Sequence, residues 1–191
     1  MKRHPQPIVA IIGRPNVGKS TLFNRIIGRR KASVLDTPGL TRDRNYAMTE
    51  WNKKPFLLVD TGGYDPVETD DISVRVREHV MMAIDEADGI IFLTDVAQLD
   101  HPVDYEIVDM LRKSGKPFIL AINKCDNHAL ERASAAFGSF GCRKMLAISA
   151  AHGLGIGELL DGIVEPLPEA EAETEDGDEI RVAIVGRQNA G

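Results

Sequence analysis

A glycine-rich segment near the start of this 191-residue sequence has the residue types needed to hold a chain of phosphate groups. The segment Gly13-Arg14-Pro15-Asn16-Val17-Gly18-Lys19-Ser20 fits the pattern GxxxxGK[ST] and follows a short apolar run. Two glycines let successive backbone N–H groups point at phosphate oxygens, and a helix beginning at Lys19 adds the positive end of its dipole. We expect these eight residues and Thr21 to bind a nucleotide, with Lys19 at the β- and γ-phosphates and Ser20 on Mg²⁺.

A second motif, Asn123-Lys124-Cys125-Asp126, follows another apolar run and has a carboxylate suited to selecting the base. The Asp126 carboxylate can accept from guanine N1–H and N2–H₂. Adenine has no such pair of donors, so ATP would leave a partly buried charge unpaired, which argues against an ATPase. We expect Asn123, Lys124 and Asp126 to bind guanine. Backbone N–H groups of Ser149-Ala150-Ala151, after a later apolar run, are expected to meet the guanine carbonyl.

Two DxxG segments, Asp36-Thr-Pro-Gly39 and Asp60-Thr61-Gly62-Gly63, compete for the loop that contacts Mg²⁺ and the γ-phosphate. A helix of ordinary length that starts at Lys19 takes about ten residues. Only a handful of residues would then remain before Asp36 for the chain to return to the sheet. Asp60 instead ends an apolar strand, where a metal-side carboxylate belongs. We therefore assign Asp60 to Mg²⁺ through water and the Gly63 N–H to the γ-phosphate.

The loop from residue 28 to residue 45 should supply a second hydroxyl to Mg²⁺. Thr41, within Leu40-Thr-Arg-Asp43, is the predicted ligand, and Thr37 is the alternative, by analogy of loop position. Lys19, Thr41, Gly63 and Asn16 together form the predicted catalytic set.

Alternation of short apolar runs with helix-compatible stretches predicts the elements that position these residues. The fold class is α/β: a P-loop NTPase with three α/β/α layers and a mostly parallel six-stranded sheet containing one antiparallel strand. Strands are predicted at 8–12, 46–51, 56–59, 89–94, 118–122 and 144–148, and helices from Lys19 and near Ile72, Pro102, Ala129 and Ile156. The polar turn at 52–55 predicts a hairpin between the second and third strands. Met81, Met82 and Tyr105 are predicted to lie in the core.

Charge divides the chain into a neutral body and an acidic tail. Residues 165–179 hold eight acids and no Lys or Arg, whereas residues 1–164 have 21 basic and 21 acidic side chains. We expect a GTPase domain over 1–167 and a flexible acidic linker over 168–180. The neutral body lacks the net positive charge that is typical of a nucleic-acid-binding domain. No run is long enough for a membrane span or a signal peptide, so a cytoplasmic protein is expected.

The last ten residues repeat the beginning of the phosphate-binding segment. Residues 182–191 match residues 9–18 at seven of ten positions. A recurrence over this distance is too long for a solenoid unit and suits a duplicated domain. Residues 181–191 are therefore expected to be the truncated start of a second GTPase domain.

Together these motifs resemble the Era/TrmE-type GTPases, and within them the Der (EngA) family, whose hallmark is two GTPase domains in tandem. The resemblance spans residues 7 to 167 and includes GRPNVGKSTLFNR, DTPGLTRDR, DTGG, NKCD and SAAHGLGIGELLD. It implies GTP and GDP as ligands, hydrolysis of GTP, and a role of the full-length protein in assembly of the large ribosomal subunit.

One position departs from the Ras-like pattern. Tyr64 follows Gly63, where Ras-like enzymes carry a water-orienting glutamine. The family resemblance implies a substitute, in which Asn16 helps to hold a K⁺ ion against the phosphates. The alternative is that Asn16 only shapes the loop, as asparagine does at turns. Two functions therefore remain: a GTP-hydrolysing switch, or a non-catalytic guanine-nucleotide binding module with Tyr64 as the sign of lost chemistry.

Overall fold

A central sheet organises the computed structural model, which describes residues 5–28, 33–34, 45–62, 72–98, 101–126, 140–142 and 144–169. The strands are β1 (Ile8–Ile12), β2 (Ser33–Val34), β3 (Asn45–Trp51), β4 (Lys54–Asp60), β5 (Gly89–Asp95), β6 (Phe118–Asn123) and β7 (Met145–Ala147). Their order in the sheet is β2-β3-β4-β1-β5-β6-β7. Strand β3 is antiparallel to both β2 and β4, and the other pairings are parallel. The predicted α/β class is confirmed, and β2 adds a two-residue strand at the edge beyond the six that were predicted.

Four α-helices are described around this sheet: α1 (Lys19–Gly28), α2 (Ile72–Glu86), α3 (Pro102–Ser114) and α4 (Ile156–Val164). Each begins at its predicted residue. A short 3-10 helix, Val96–Gln98, follows β5. Helix α3 has a proline in its first turn and is capped by His101, whose ring nitrogen accepts from the Val103 N–H. Helix α4 ends just before Pro166, which cannot continue it. The helix predicted near Ala129, the acidic linker beyond residue 169 and the repeat at 182–191 lie outside the described residues.

Alternation along β1 divides the core between the two faces of the sheet. Val9 and Ile11 join one apolar cluster, which contains the buried side chains of α1 and α4. Ala10 and Ile12 join a second cluster, which contains those of α2 and α3. Because successive side chains of a strand point to opposite faces, this division produces the three predicted layers.

A tight hairpin joins β3 to β4, as the polar turn predicted. Asn52 and Lys53 form the connection, with φ angles of 49° and 64°. Two consecutive left-handed residues are typical of the type I′ turn, whose twist matches that of the flanking strands. The register places Trp51 opposite Lys54 and Asn45 opposite Asp60.

The assignment of Met81 and Met82 to the core was wrong. Their exposed fractions are 58% and 45%. Helix α2 buries Val80, Ala83 and Ile84, and the 3.6-residue period turns the two intervening methionines away from that face. Tyr105 is half-buried and stacks on Phe140, with 4.6 Å between the ring centroids.

Parallel strands bring the loops after β1, β4, β5, β6 and β7 to one edge of the sheet. In α/β folds this carboxyl edge is where ligands bind. The phosphate-binding segment follows β1 directly, Asp60 ends β4, and Asn123 ends β6. None of the helices among the described residues has the length and apolar character needed to cross a membrane.

Candidate nucleotide-binding site

Two glycines allow the loop after β1 to pass close to neighbouring strands. Gly13 has a φ of 151°, and a Cβ atom there would lie 2.2 Å from the Leu93 carbonyl oxygen. Gly18 has a φ of 101°, and its Cβ would lie 2.4 Å from Asn123 Nδ2. Any larger residue would therefore clash with β5 or with the end of β6, so both positions require glycine.

Lys19 folds back over this loop and is largely buried. Its Nζ donates to the carbonyl oxygens of Gly13 at 2.9 Å and Arg14 at 2.8 Å. Burial of the ammonium group lowers its pKa below the ordinary value of 10.5, and the nearby Arg14 guanidinium lowers it further, while the Asp60 carboxylate acts in the opposite direction. The loop thus holds a positive charge that an anion would stabilise.

The Arg14 guanidinium points away from the loop and is bonded to Asp104 of α3 and to Gln98. It forms two hydrogen bonds with the Asp104 carboxylate, at 2.7 and 2.9 Å, and two with Gln98. Asp104 is fully buried and also accepts from the Thr94 hydroxyl. Arg14 was predicted to bind the nucleotide. Because its guanidinium is bonded to Asp104 and Gln98, only the Arg14 backbone can contribute to that binding.

The predicted metal-side residues converge beside Gly62. A Cβ on Gly62 would stand 2.9 Å from Asp60 Oδ1 and 3.3 Å from both Lys19 Cε and Ser20 Oγ. Asp60 Oδ1 accepts from the Gly62 N–H at 2.9 Å, but its buried Oδ2 has no hydrogen-bond partner among the described residues. An unpartnered buried carboxylate oxygen is costly unless a ligand or ion satisfies it.

Other predicted residues surround this point or lie outside the described part of the chain. The Thr61 hydroxyl donates to the Ile11 carbonyl at 2.8 Å, which ties the end of β4 to β1. Pro15 and Thr21 are exposed on the loop and on α1, and Val17 is buried. Gly63, Tyr64, Thr41, Thr37 and the segment 36–39 lie outside the described residues.

The Asn123 side chain joins the phosphate side of the site to the base side. Its Nδ2 donates to the Val17 carbonyl and its Oδ1 accepts from the Ala150 N–H, both at 2.9 Å. One amide therefore fixes the spacing between the loop after β1 and the loop after β7. Both of its bonds are buried, where an unpaired partner would be destabilising.

The Lys124 side chain contacts the outer side of the loop after β1. Its Nζ donates to the Asn16 carbonyl at 3.2 Å and to Asp95 Oδ2 at 2.6 Å. Asp95 ends β5 and is 7% exposed, so the pair is shielded from water on one side. Asp95 was not among the residues predicted from the sequence, although its position as the last residue of an apolar strand was the available signal.

Asp126 is held by the loop after β7. Its Oδ1 accepts from the Ser149 hydroxyl at 2.6 Å, and His152 Nε2 lies 3.9 Å from the same oxygen. The carboxyl side chain is 50% exposed, so its remaining acceptor capacity faces outward. Asn123, Lys124, Asp126 and Ser149–Ala151 thus meet at one place, as their positions after β6 and β7 predicted.

Comparisons with known proteins agree with this geometry. The family model described as 50S ribosome-binding GTPase matches residues 8–124. GTPase Der of Syntrophobacter fumaroxidans is 48% identical over 188 residues, covering 96% of this chain and 42% of that relative. GTPase Der of Trichlorobacter lovleyi is 50% identical over 184 residues, covering 96% of this chain and 41% of that relative. The chain thus spans about two fifths of the length of these curated relatives.

Solved structures also resemble the fold. A variant of Era from Aquifex aeolicus bound to GDP and aluminium fluoride gives a TM-score of 0.67 at 31% identity, over 85% of this chain and 57% of that one. The G domain of the FeoB iron transporter from T. maritima gives 0.59 at 24% identity, over 84% of this chain and 98% of that one, which shows the fold alone. The family model covers more than half of the sequence and includes both the glycine loop and the pair Asn123–Lys124, so the chain belongs to the family of 50S ribosome-binding GTPases.

Proposed function

We propose that this chain binds GTP and GDP at the carboxyl edge of the sheet and hydrolyses GTP to GDP and phosphate with Mg²⁺. The observation that carries the proposal is the convergence of Lys19, Ser20 and Asp60 beside Gly62. At the other end of the site Asp126 is oriented by Ser149, at a spacing that Asn123 sets. The Lys19 ammonium and the Asp60 carboxylate at one end of the site suit a magnesium-bound triphosphate. The half-exposed Asp126 carboxylate at the other end suits the guanine base.

The residues present fit a magnesium ion. Asp60 Oδ2 is buried without a partner among the described residues, and the Ser20 hydroxyl lies on the same side of Gly62. No group of three or more His, Cys, Asp or Glu side chains that could hold a metal ion occurs in the part of the chain that the structure describes. Magnesium is usually held by one or two carboxylates together with phosphate oxygens, so this sparse donor set is appropriate. Mg²⁺ bound there would neutralise charge on the β- and γ-phosphates.

The protein's own groups position the triphosphate. Lys19 now donates to two loop carbonyls, and bound phosphates would offer its ammonium a stronger, charged acceptor. Loop N–H groups and the first turn of α1 would contact the phosphates from the other side. The loop and the helix fix these backbone donors, so they would stabilise charge on the phosphates with little reorganisation.

A potassium ion beside Asn16 would compensate for the absence of a glutamine after Gly63. Asn16 is exposed at the loop's edge, with a φ of 63°, and its carbonyl accepts from Lys124. The Asn16 side chain is therefore available to a cation. Such an ion would stabilise charge developing on the phosphates, as an arginine finger does.

The role in assembly of the large ribosomal subunit is also part of the proposal. Its support is the family description and the similarity to GTPase Der. Cosedimentation with isolated 50S subunits in GDP and in a non-hydrolysable GTP analogue tests it. Nucleotide-dependent binding is expected, and equal sedimentation in the presence and absence of subunits would refute it for this chain.

Phosphate release separates the two candidate functions. GTP should compete with GDP for binding to the parent chain, whereas ATP should not. Phosphate release from GTP should require Mg²⁺. Lys19→Ala is the control without the loop cation. Tight GDP binding with phosphate release no faster than in that variant would instead support a non-catalytic guanine-nucleotide module.

A further inference from the structure

We propose that Arg25 is a positioning residue for guanine recognition, acting through the loop Ser149–Ala151. The proposal rests on the guanine binding proposed above and names a residue to which the sequence motifs assigned no role. Arg25 Nε donates to the Ala150 carbonyl at 2.8 Å, and its second terminal nitrogen donates to the Ala151 carbonyl. These contacts join α1 to a loop 125 and 126 residues further along the chain.

The two contacts determine how the loop presents its amides. The Ala150 carbonyl and the Ala151 N–H belong to one planar peptide unit and point in opposite directions. When Arg25 holds the Ala150 carbonyl, it therefore directs the Ala151 N–H to the opposite side of the loop.

The remaining amides of the loop are already engaged. The Ala150 N–H donates to Asn123 Oδ1 at 2.9 Å, and the His152 N–H donates to the Ser149 hydroxyl at 3.2 Å. The Ala151 N–H has no acceptor among the described residues. It is the donor that the loop can offer to the 6-oxo group of guanine without breaking a bond.

Arg25 also connects the two ends of the site. It lies on the helix that begins with Lys19 and Ser20, on the phosphate side. Its half-buried guanidinium makes both bonds from a planar fork, which a lysine ammonium cannot reproduce at two successive carbonyls. Arg25→Lys therefore keeps the charge while removing the geometry.

Three nucleotides distinguish positioning of the 6-oxo contact from general support of the site. GDP and inosine diphosphate both carry the 6-oxo group, whereas 2-aminopurine riboside diphosphate lacks it and retains the 2-amino group. Calorimetric Kd values in Mg²⁺ are measured for the parent and for Arg25→Lys. We expect GDP and inosine diphosphate to weaken about tenfold, and the 2-aminopurine nucleotide less than about threefold. At saturating GTP the kcat should stay within about twofold, since Arg25 does not touch the phosphates.

A matched arginine supplies the control. Arg112 also donates to a main-chain carbonyl, that of Phe140, at the end of α3 away from the site. Arg112→Lys should leave all three Kd values unchanged. Arg25→Gln, which keeps an uncharged donor, repeats the series with a second variant, and thermal unfolding without nucleotide shows whether each variant is folded.

The outcomes separate the two proposals. Equal weakening of all three nucleotides, or no weakening of any, in folded Arg25 variants would overturn the role of Arg25 alone. A parent chain that binds GDP and the 2-aminopurine nucleotide equally would overturn guanine recognition, and the role of Arg25 with it.

Discussion

The Arg14 guanidinium and the Asp104 carboxylate form a two-point ion pair in the interior, with N–O distances of 2.7 and 2.9 Å. Side-chain exposure is 8% for Arg14 and zero for Asp104. The pair fastens the phosphate-binding loop to the first turn of α3, and the backbone carbonyl of Arg14 accepts from Lys19. Removing one partner would leave a buried charge without compensation.

Asp104→Asn should therefore destabilise the fold strongly. We expect a loss of about 3–5 kcal/mol in the free energy of unfolding, measured by urea denaturation. Glu106→Gln, which removes the exposed partner of Arg77, is the matched control and should cost under about 1 kcal/mol. Similar small losses in the two variants would show that Arg14 does not depend on Asp104.

Asp126→Asn should change the base that the site accepts. The substitution replaces two acceptor oxygens by one acceptor and one donor, so GTP should bind several kcal/mol more weakly, at about 1.5–3 kcal/mol per charged hydrogen bond. Xanthosine triphosphate has a C2 carbonyl that accepts from the new amide and should become the preferred nucleotide. Competition binding measures both affinities, with the exposed Asp109→Asn as control. Unchanged GTP affinity would remove Asp126 from the site.

Substitutions on the metal side of the site should affect GTP turnover and GDP affinity to different extents. Lys19→Ala and Ser20→Ala should each nearly abolish GTP turnover. Thr41→Ala should lower turnover yet leave GDP affinity almost unchanged, because its predicted contact is with Mg²⁺ beside the γ-phosphate, which GDP lacks. Phosphate release and GDP titration measure the two quantities. The same pattern in Thr37→Ala, and not in Thr41→Ala, would transfer the metal contact to Thr37.

Nucleotide affinity should fall in alkaline solution through Lys19. Burial holds the pKa of the free protein's Lys19 below 10.5, whereas bound phosphates raise it. The protonated form binds more tightly, so affinity is full below the lowered pKa and decreases as pH rises through it, by up to about tenfold per pH unit. Guanine also loses its N1 proton in alkali, so GDP binding is compared with Lys19→Arg, which shares only that contribution. Identical pH profiles would contradict the role of Lys19.

Potassium should accelerate GTP hydrolysis more than sodium. If Asn16 helps to hold the ion, initial phosphate release in KCl should exceed that in NaCl by about tenfold, or about 1.4 kcal/mol of barrier. Asn16→Gly should erase the difference and keep most of the nucleotide affinity. Glycine is preferable to alanine here because the φ of 63° strains residues that carry a Cβ. Equal rates in the two salts at constant ionic strength would refute the hypothesis.

Much of the fold was predictable from local sequence. The apolar runs at 8–12 and 118–122 and the start of α1 at Lys19 agree with the structure to within a residue or two. The glycines of the phosphate-binding segment were predictable because glycine adopts backbone angles that few other residues adopt. The turn within 52–55 was predictable because a short polar stretch separates two apolar runs. The position of Asp60 at the end of β4 followed from the apolar run that precedes it and from the length of a helix after Lys19.

Only the tertiary structure decided which side chains meet. Arg14 pairs with Asp104 across 90 residues of chain, and Arg25 reaches Ala150 across 125. Met81 and Met82 were misplaced because their apolar character says nothing about which side of α2 packs on the sheet. Composition, strand periodicity and turn chemistry act between near neighbours, so the sequence by itself determined the elements and the glycine loop. Contacts between distant residues depend on the order of strands in the sheet and on the faces that the helices bury, which become defined only when the whole chain packs.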